Sequence, residues 1–142
     1  MLPSVSEHDL ARLVDAARAV RQHAHAPYSR FMVGAALLDE HGRVHAGCNV
    51  ENAALPQSLC AEAVALGVLV ATGGHRVRAV VVVGEAPQAV TPCGGCRQKL
   101  REFARDDTPV LSADDQGWRA RHTLGELLPA SFGPDHWVPN EP

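Results

Sequence analysis

Residues 77–84, VRAVVVVG, restrict the possible fold more than any other stretch. The run is continuous in β-branched residues, so it predicts a strand buried on both faces. Such a strand needs neighbours at its edges and cover above and below, and the flanking sequence offers both. Residues 6–24, SEHDLARLVDAARAVRQHA, bring Leu10, Leu13, Val14, Ala17 and Val20 onto one helical face, with Ser6 as N-cap and Asp9 three residues later. Pro27 stops this helix. FMVGAALLD predicts a buried strand, His41-Gly42 a hairpin turn, and RVHAGCNV the returning strand. ENAALPQS reads as a loop. LCAEAVALGVLVATGG predicts a second helix, closed by Gly73-Gly74, and CGGCRQKLREFAR a third, entered from Pro92. TPVLSA and WRARHT predict two more strands, and TLGELLP a short last helix. Helices alternating with strands predict an α/β fold of about five strands with helices packed on the sheet.

The 142 residues suffice for one domain with its own core, and no repeat or linker divides them. The expectation is a single domain over 1–142. A net charge of −3 without a basic stripe gives little drive for binding a long nucleic acid. No apolar run reaches the ~18–20 residues of a membrane span. MLPSVSEHDL lacks the pattern of a signal peptide. These features predict a cytoplasmic protein with reduced thiols. Its four cysteines then read as metal ligands, catalytic groups or core fillers rather than as disulfides.

Three cysteines fall at predicted helix starts: Cys60 at the second helix, Cys93 and Cys96 at the third. Partial positive charge and free N–H groups at a helix N-terminus favour the thiolate that binds metal. Three thiolates can fill three corners of a tetrahedral Zn²⁺ site and leave the fourth for water, as in catalytic zinc sites. A proton carrier is then required, and Glu62 lies two residues from Cys60. Side chains at i and i+2 of a regular helix point about 200° apart. Glu62 can therefore reach the metal only if the first turn is irregular. Other uses of these cysteines are a redox C-x-x-C pair, which leaves Cys60 and Glu62 without a role, and a closed four-cysteine zinc site with Cys48.

C-A-E followed by P-C-x-x-C resembles the zinc-dependent cytidine deaminases, in their small homotetrameric three-cysteine group. PYSRFMVGAALL, GCNVENAA, LCAEA, PCGGCRQ and LGELLPASFG follow the order and approximate spacing of that family. The resemblance implies a three-layer α/β/α fold with a mixed sheet and helices on both faces. It implies one zinc per subunit on Cys60, Cys93 and Cys96, and Glu62 as the general acid and base. Glu62 would take a proton from the activated water, deliver it to N3 of cytosine, and later protonate the leaving amine. Cytidine and 2′-deoxycytidine would become the uridines, with release of ammonia, in pyrimidine salvage. Asn49 and Glu51 would bond the ribose 3′-hydroxyl, Phe31 would line the pyrimidine pocket, and the Ala61 N–H would meet the base carbonyl. Phe132 would reach a base, in a neighbouring subunit's site. The partners implied are a nucleoside and other copies of the chain, with no nucleic acid or membrane.

Two positions depart from the family's pattern. Ala63 stands where arginine often follows the catalytic glutamate and offsets thiolate charge, which leaves Arg97 as the candidate second-layer cation at the metal. Leu55 stands where a tyrosine often reaches a neighbour's sugar, which predicts weaker recognition of the sugar 5′ end. The competing functions are deamination of another cytosine nucleoside analogue, a non-catalytic zinc protein, and a thiol redox protein.

Overall fold

The structure is a computed structural model that describes residues 2–137. Residues 1 and 138–142, part of the single domain expected from sequence, lie outside the described residues. The chain runs α1 (Glu7–Arg21), β1 (Gly34–Asp39), β2 (Val44–Cys48), a 3-10 turn (Leu55–Gln57), α2 (Ala61–Ala71), β3 (Val77–Val83), α3 (Gly94–Arg101), β4 (Pro109–Ala113), β5 (Trp118–Thr123) and α4 (Leu124–Leu127), then a final 3-10 turn (Pro134–His136). The five strands form one mixed sheet in the order β2-β1-β3-β4-β5. Only β3 and β4 are parallel; the other pairs are antiparallel.

The apolar run of β3 lies at the centre of the sheet, as its composition demands. Val80 and Val82 face a core built from Ala61, Ala65, Leu69, Leu100 and Leu124. Val81 and Val83 face the opposite core, filled by Leu10, Leu13, Val14 and Ala17 of α1. With α1 on one face and α2, α3 and α4 on the other, the molecule has the three layers expected. Ser6 caps α1 in a capping box with Asp9, and Gly42 turns the β1–β2 hairpin with φ 78°.

Several boundaries differ from the sequence reading. The first helix stops at Arg21 rather than residue 24, because the backbone of His25 pairs with Asn49 and Glu51. The first strand begins at Gly34, since the Phe31 carbonyl and the Val33 N–H bond the Asn49 side chain and only the Val33 carbonyl meets the neighbouring backbone, at the Asn49 N–H. The third helix ends at Arg101, and the Arg105 N–H turns to the Thr108 hydroxyl. The loop after β2 contains the 3-10 turn at Leu55–Gln57.

Helix α2 is fixed at both ends. Near its start the backbone of Gly47 on β2 lies against it: a Cβ there would sit 2.4 Å from the Ala65 nitrogen. At its end, Thr72 shares a 3.3 Å hydrogen bond with His45 Nδ1, and Arg43 donates to the Thr72 carbonyl at 3.0 Å. His45 and Arg43 both bond the fully buried carboxylate of Asp39, each at 2.8 Å. Burial raises the Asp39 carboxyl, but hydrogen bonds from His45, Arg43 and His41 outweigh it and hold the group well below the usual carboxylate range. The stability it contributes is therefore complete above the unfolded carboxyl value, about pH 4, and is lost as pH falls toward the folded one. Asp39→Asn should cost about 3 kcal/mol at pH 7. It should also flatten the acid side of the melting temperature against pH, measured by circular dichroism against the wild type.

Candidate metal centre and active site

The register of the sheet decides where the site lies. Gly34 pairs with Cys48 on one side and Val83 on the other, and Val83 pairs with Ala113. Residues 31–33, 49–51 and 84–93 therefore all leave the sheet at one end. It is the carboxyl end of the parallel strands, where open α/β sheets place their ligands.

Cys60 and Cys93 are the N-caps of α2 and α3, and Cys96 is buried in the first turn of α3. The three sulfurs lie within 4.8 Å of one another, with Cys60 and Cys93 3.8 Å apart. Sulfurs on a tetrahedral zinc, each about 2.3 Å from the metal, stand about 3.8 Å apart. The donor set therefore fits one zinc ion and leaves a fourth position open. Without a cation these groups oppose one another. Burial raises the thiols of Cys60 and Cys96, and for Cys96 the charges of Glu62, Cys60 and Cys93 add to it. Burial also raises Cys93, but hydrogen bonds from Cys96 and Cys60 bring it below the ordinary thiol value. A divalent cation is what permits all three to be thiolates together. Cys48, at the end of β2, is not in this group, and a redox pair would leave Cys60 unexplained.

Glu62 meets the metal ligands because Cys60 is not helical. As N-cap, Cys60 has φ −75° and ψ 153°, so the 200° separation of a regular turn (about that value by helix geometry) does not apply. Glu62 is 5% exposed. Burial raises its carboxyl; its own backbone N–H, the Cys96 thiol and the charge of Lys99 pull the other way without cancelling the rise.

A cavity of about 410 Å³ opens above these groups, lined by Phe31, Asn49, Glu51, Leu55, Cys60 and Glu62 among others. Its wall is a short loop held by two side chains. Glu51 Oε1 accepts the N–H groups of Tyr28 at 2.9 Å and Ser29 at 3.1 Å, and Oε2 accepts the Ser29 hydroxyl. The Ser29 hydrogen bond leads the interactions that lower the Glu51 carboxyl. Asn49 accepts from the Val33 N–H and donates to the Phe31 carbonyl, both at 2.8 Å. Ala61 is the first residue of α2, so its N–H has no acceptor within the helix.

Comparison with known proteins agrees with this geometry. Residues 7–112 match the family described as the cytidine and deoxycytidylate deaminase zinc-binding region. The chain belongs to this deaminase family. A cytidine deaminase from Sporosarcina psychrophila is 39% identical over 124 residues, covering 87% of this chain and 91% of that one. A cytidine deaminase from Mycobacterium tuberculosis is 45% identical over 112 residues, covering 79% and 80%. The crystal structure of a cytidine deaminase from Burkholderia pseudomallei superposes with a TM-score of 0.81, at 41% identity, covering 89% of this chain and 99% of that one.

Two further residues of the expected site lie outside the lining of this chain's own cavity, and for one of them, Phe132, the expected place is a neighbouring subunit's site. Phe132 stacks its ring on His136 at 4.9 Å, and its carbonyl accepts from Gln98. Arg97, expected as the second-layer cation at the metal, is held by backbone and hydroxyl acceptors beside the ligands. Its nitrogens donate to the carbonyls of Pro92 and Leu127 and to the Thr91 hydroxyl, and none of these acceptors is a sulfur. It fastens the backbone that enters Cys93. Sequence reasoning passed over Lys99 and Ser29. Lys99 is the only lysine in the chain and sits three residues after Cys96, one helical turn on. Ser29 lies inside PYSRF, but no periodicity marks a hydroxyl that folds back on its own loop.

Cys96→Ala should remove zinc, measured as less than about a tenth of an equivalent by elemental analysis. A third ligand lost from a three-cysteine set leaves two, too few for a stable site.

Proposed function

We propose that the chain deaminates cytidine and 2′-deoxycytidine to the uridines, with water consumed and ammonia released. The observation that carries this is a cluster of three thiols, two of which line a cavity of ligand size together with one buried carboxyl. The volume falls in the range of small-molecule pockets, about 300–1,000 Å³. Cys60, Cys93 and Cys96 hold the metal. Zinc bound there supplies Lewis-acid activation of water near neutral pH.

Glu62 moves the protons. Its buried carboxyl beside the metal ligands is placed to act as both acid and base. It receives a proton from the attacking water and passes it to N3 of the base. Oxygen bonds to C4; Glu62 then takes the second proton from the new C4 hydroxyl and delivers it to the amine, and the C4–N bond breaks to leave a C4 carbonyl with N3 protonated. The Ala61 N–H donates to the base carbonyl, and Phe31 packs against the pyrimidine.

The polar atoms of Asn49 and Glu51 support recognition of a free sugar hydroxyl. A carboxylate offers about four acceptor sites, and three on Glu51 are taken by the loop. Asn49 keeps one N–H and one lone pair. A hydroxyl can donate to Glu51 and accept from Asn49, whereas a phosphate brings only acceptors and a charge that Glu51 repels.

The same reading extends to the assembly. Gly67, Val68, Val70 and Ala71 on α2 are exposed, and Leu55 and Leu59 stand exposed at the cavity. An α2 apolar on nearly every side supports burial against further copies, and hence a homotetramer in which Phe132 serves a neighbour's site. Both faces of the sheet are covered within the described residues, which supports a single deaminase domain. No helix among them is long and apolar enough to cross a membrane, and the free thiols fit a reducing cytoplasm.

Glu62→Gln should keep its zinc and lose about 10²–10⁴-fold in kcat, followed by the fall in ultraviolet absorbance of cytidine. Leu55 offers no hydroxyl where the sugar 5′ end would lie, so cytidine and 5′-deoxycytidine should have KM values within about threefold. A KM difference worth a full hydrogen bond, about tenfold, would refute that view of Leu55.

A further inference from the structure

The Ser29 hydroxyl is engaged on both sides. It donates to Glu51 Oε2 and accepts the Phe31 N–H at 3.0 Å. Between Ser29 and Phe31, Arg30 has φ 62°, the left-handed region that a side chain with Cβ rarely adopts. Strained backbone of this kind persists only where its surroundings over-determine it. Here they do. The Arg30 N–H donates to the Ala26 carbonyl at 3.0 Å, Glu51 holds the two residues before it, and Asn49 holds Phe31 and Val33 after it. The left-handed step at Arg30 accompanies the return of the Phe31 amide toward Ser29. The position of the aromatic ring is thus tied to the Glu51 carboxylate through one hydroxyl.

We propose that Ser29 is a positioning residue that couples recognition of the sugar 3′-hydroxyl at Glu51 to the placement of Phe31 against the base. The coupling rests on the assignments of Glu51 and Phe31 made under Proposed function. Ser29 has no direct part in the chemistry. A sugar hydroxyl that enters the remaining acceptor site of Glu51 joins a chain of hydrogen bonds running hydroxyl–Glu51–Ser29–Phe31 amide, and such chains polarise and stiffen together. Binding energy gained at the sugar is then used to orient the reacting ring, so a substrate lacking the hydroxyl loses kcat as well as affinity. Removing the Ser29 hydroxyl leaves Glu51 its two backbone donors and its free acceptor site. The 3′-hydroxyl should still help binding but no longer help turnover.

The test is steady-state kinetics of zinc-loaded wild type, Ser29→Ala, Ser29→Thr and Phe31→Leu on cytidine and 3′-deoxycytidine. In the wild type, kcat should fall about tenfold when the 3′-hydroxyl is absent, the worth of one charge-assisted hydrogen bond. In Ser29→Ala and in Phe31→Leu the two kcat values should converge to within about twofold, with the KM difference retained. Ser29→Thr, which keeps a hydroxyl, should restore the wild-type ratio. Three results would overturn the coupling: equal kcat values in the wild type, a ratio that survives in Ser29→Ala, or one that survives in Phe31→Leu. The last variant decides the matter if Ser29→Ala does not fold. Failure of the wild type to convert cytidine would instead refute the functional reading, so the two failures are distinguishable.

Discussion

Electrostatic repulsion governs this end of the molecule. Three thiols and a carboxyl occupy one small volume, and the charges of Glu62, Cys60 and Cys93 all raise the cost of ionising Cys96. Burial adds to that cost and raises the Glu62 carboxyl as well. Two features of the fold oppose it. The N-terminal ends of α2 and α3 converge there, bringing partial positive charge and unpaired N–H groups, and the sulfurs stand at the spacing of a single divalent cation. The sheet serves this convergence. Its central strand carries the chain from the loop after α2 to the loop before α3, so both helices can begin at the same end.

The loop opposite the metal follows a different logic. Asn49 and Glu51 lie just past β2 and are largely occupied by the main chain of residues 28–33. Their remaining valences are few and differ in kind, and the proposed choice of a hydroxyl over a phosphate rests on that difference. The residues proposed to recognise the sugar are also those that shape the wall against which the base packs. Substitution of either therefore changes structure and recognition together, and a loss of activity alone does not separate the two.

Much of this was legible from the residues. The unbroken valine run predicted a strand buried on both faces, the Ser6–Asp9 pair marked the start of α1, and the spacing of Cys60, Cys93 and Cys96 pointed to a zinc site. Boundaries were misread where side chains replace a neighbouring strand as hydrogen-bond partner, as Asn49 does for the Phe31 carbonyl and the Val33 N–H. A pattern of apolar residues carries no information about such a bond. The geometry of Glu62 depended on the dihedrals of one capping residue, which sequence periodicity does not report. The hydrogen-bond partners of Arg97 were not legible from its charge and its place after Cys96. Three backbone and hydroxyl acceptors lie within its reach, and it binds those.

Gly47 shows how the metal helix is located. No side chain separates β2 from α2 at this point; the backbones touch, with room for a hydrogen and nothing larger. Distances set by side-chain packing drift as residues are exchanged over evolutionary time. A distance set by main chain against main chain depends on atoms that every residue shares. The outward surface of α2 can therefore be rewritten to suit new assemblies while the metal keeps its height above the sheet.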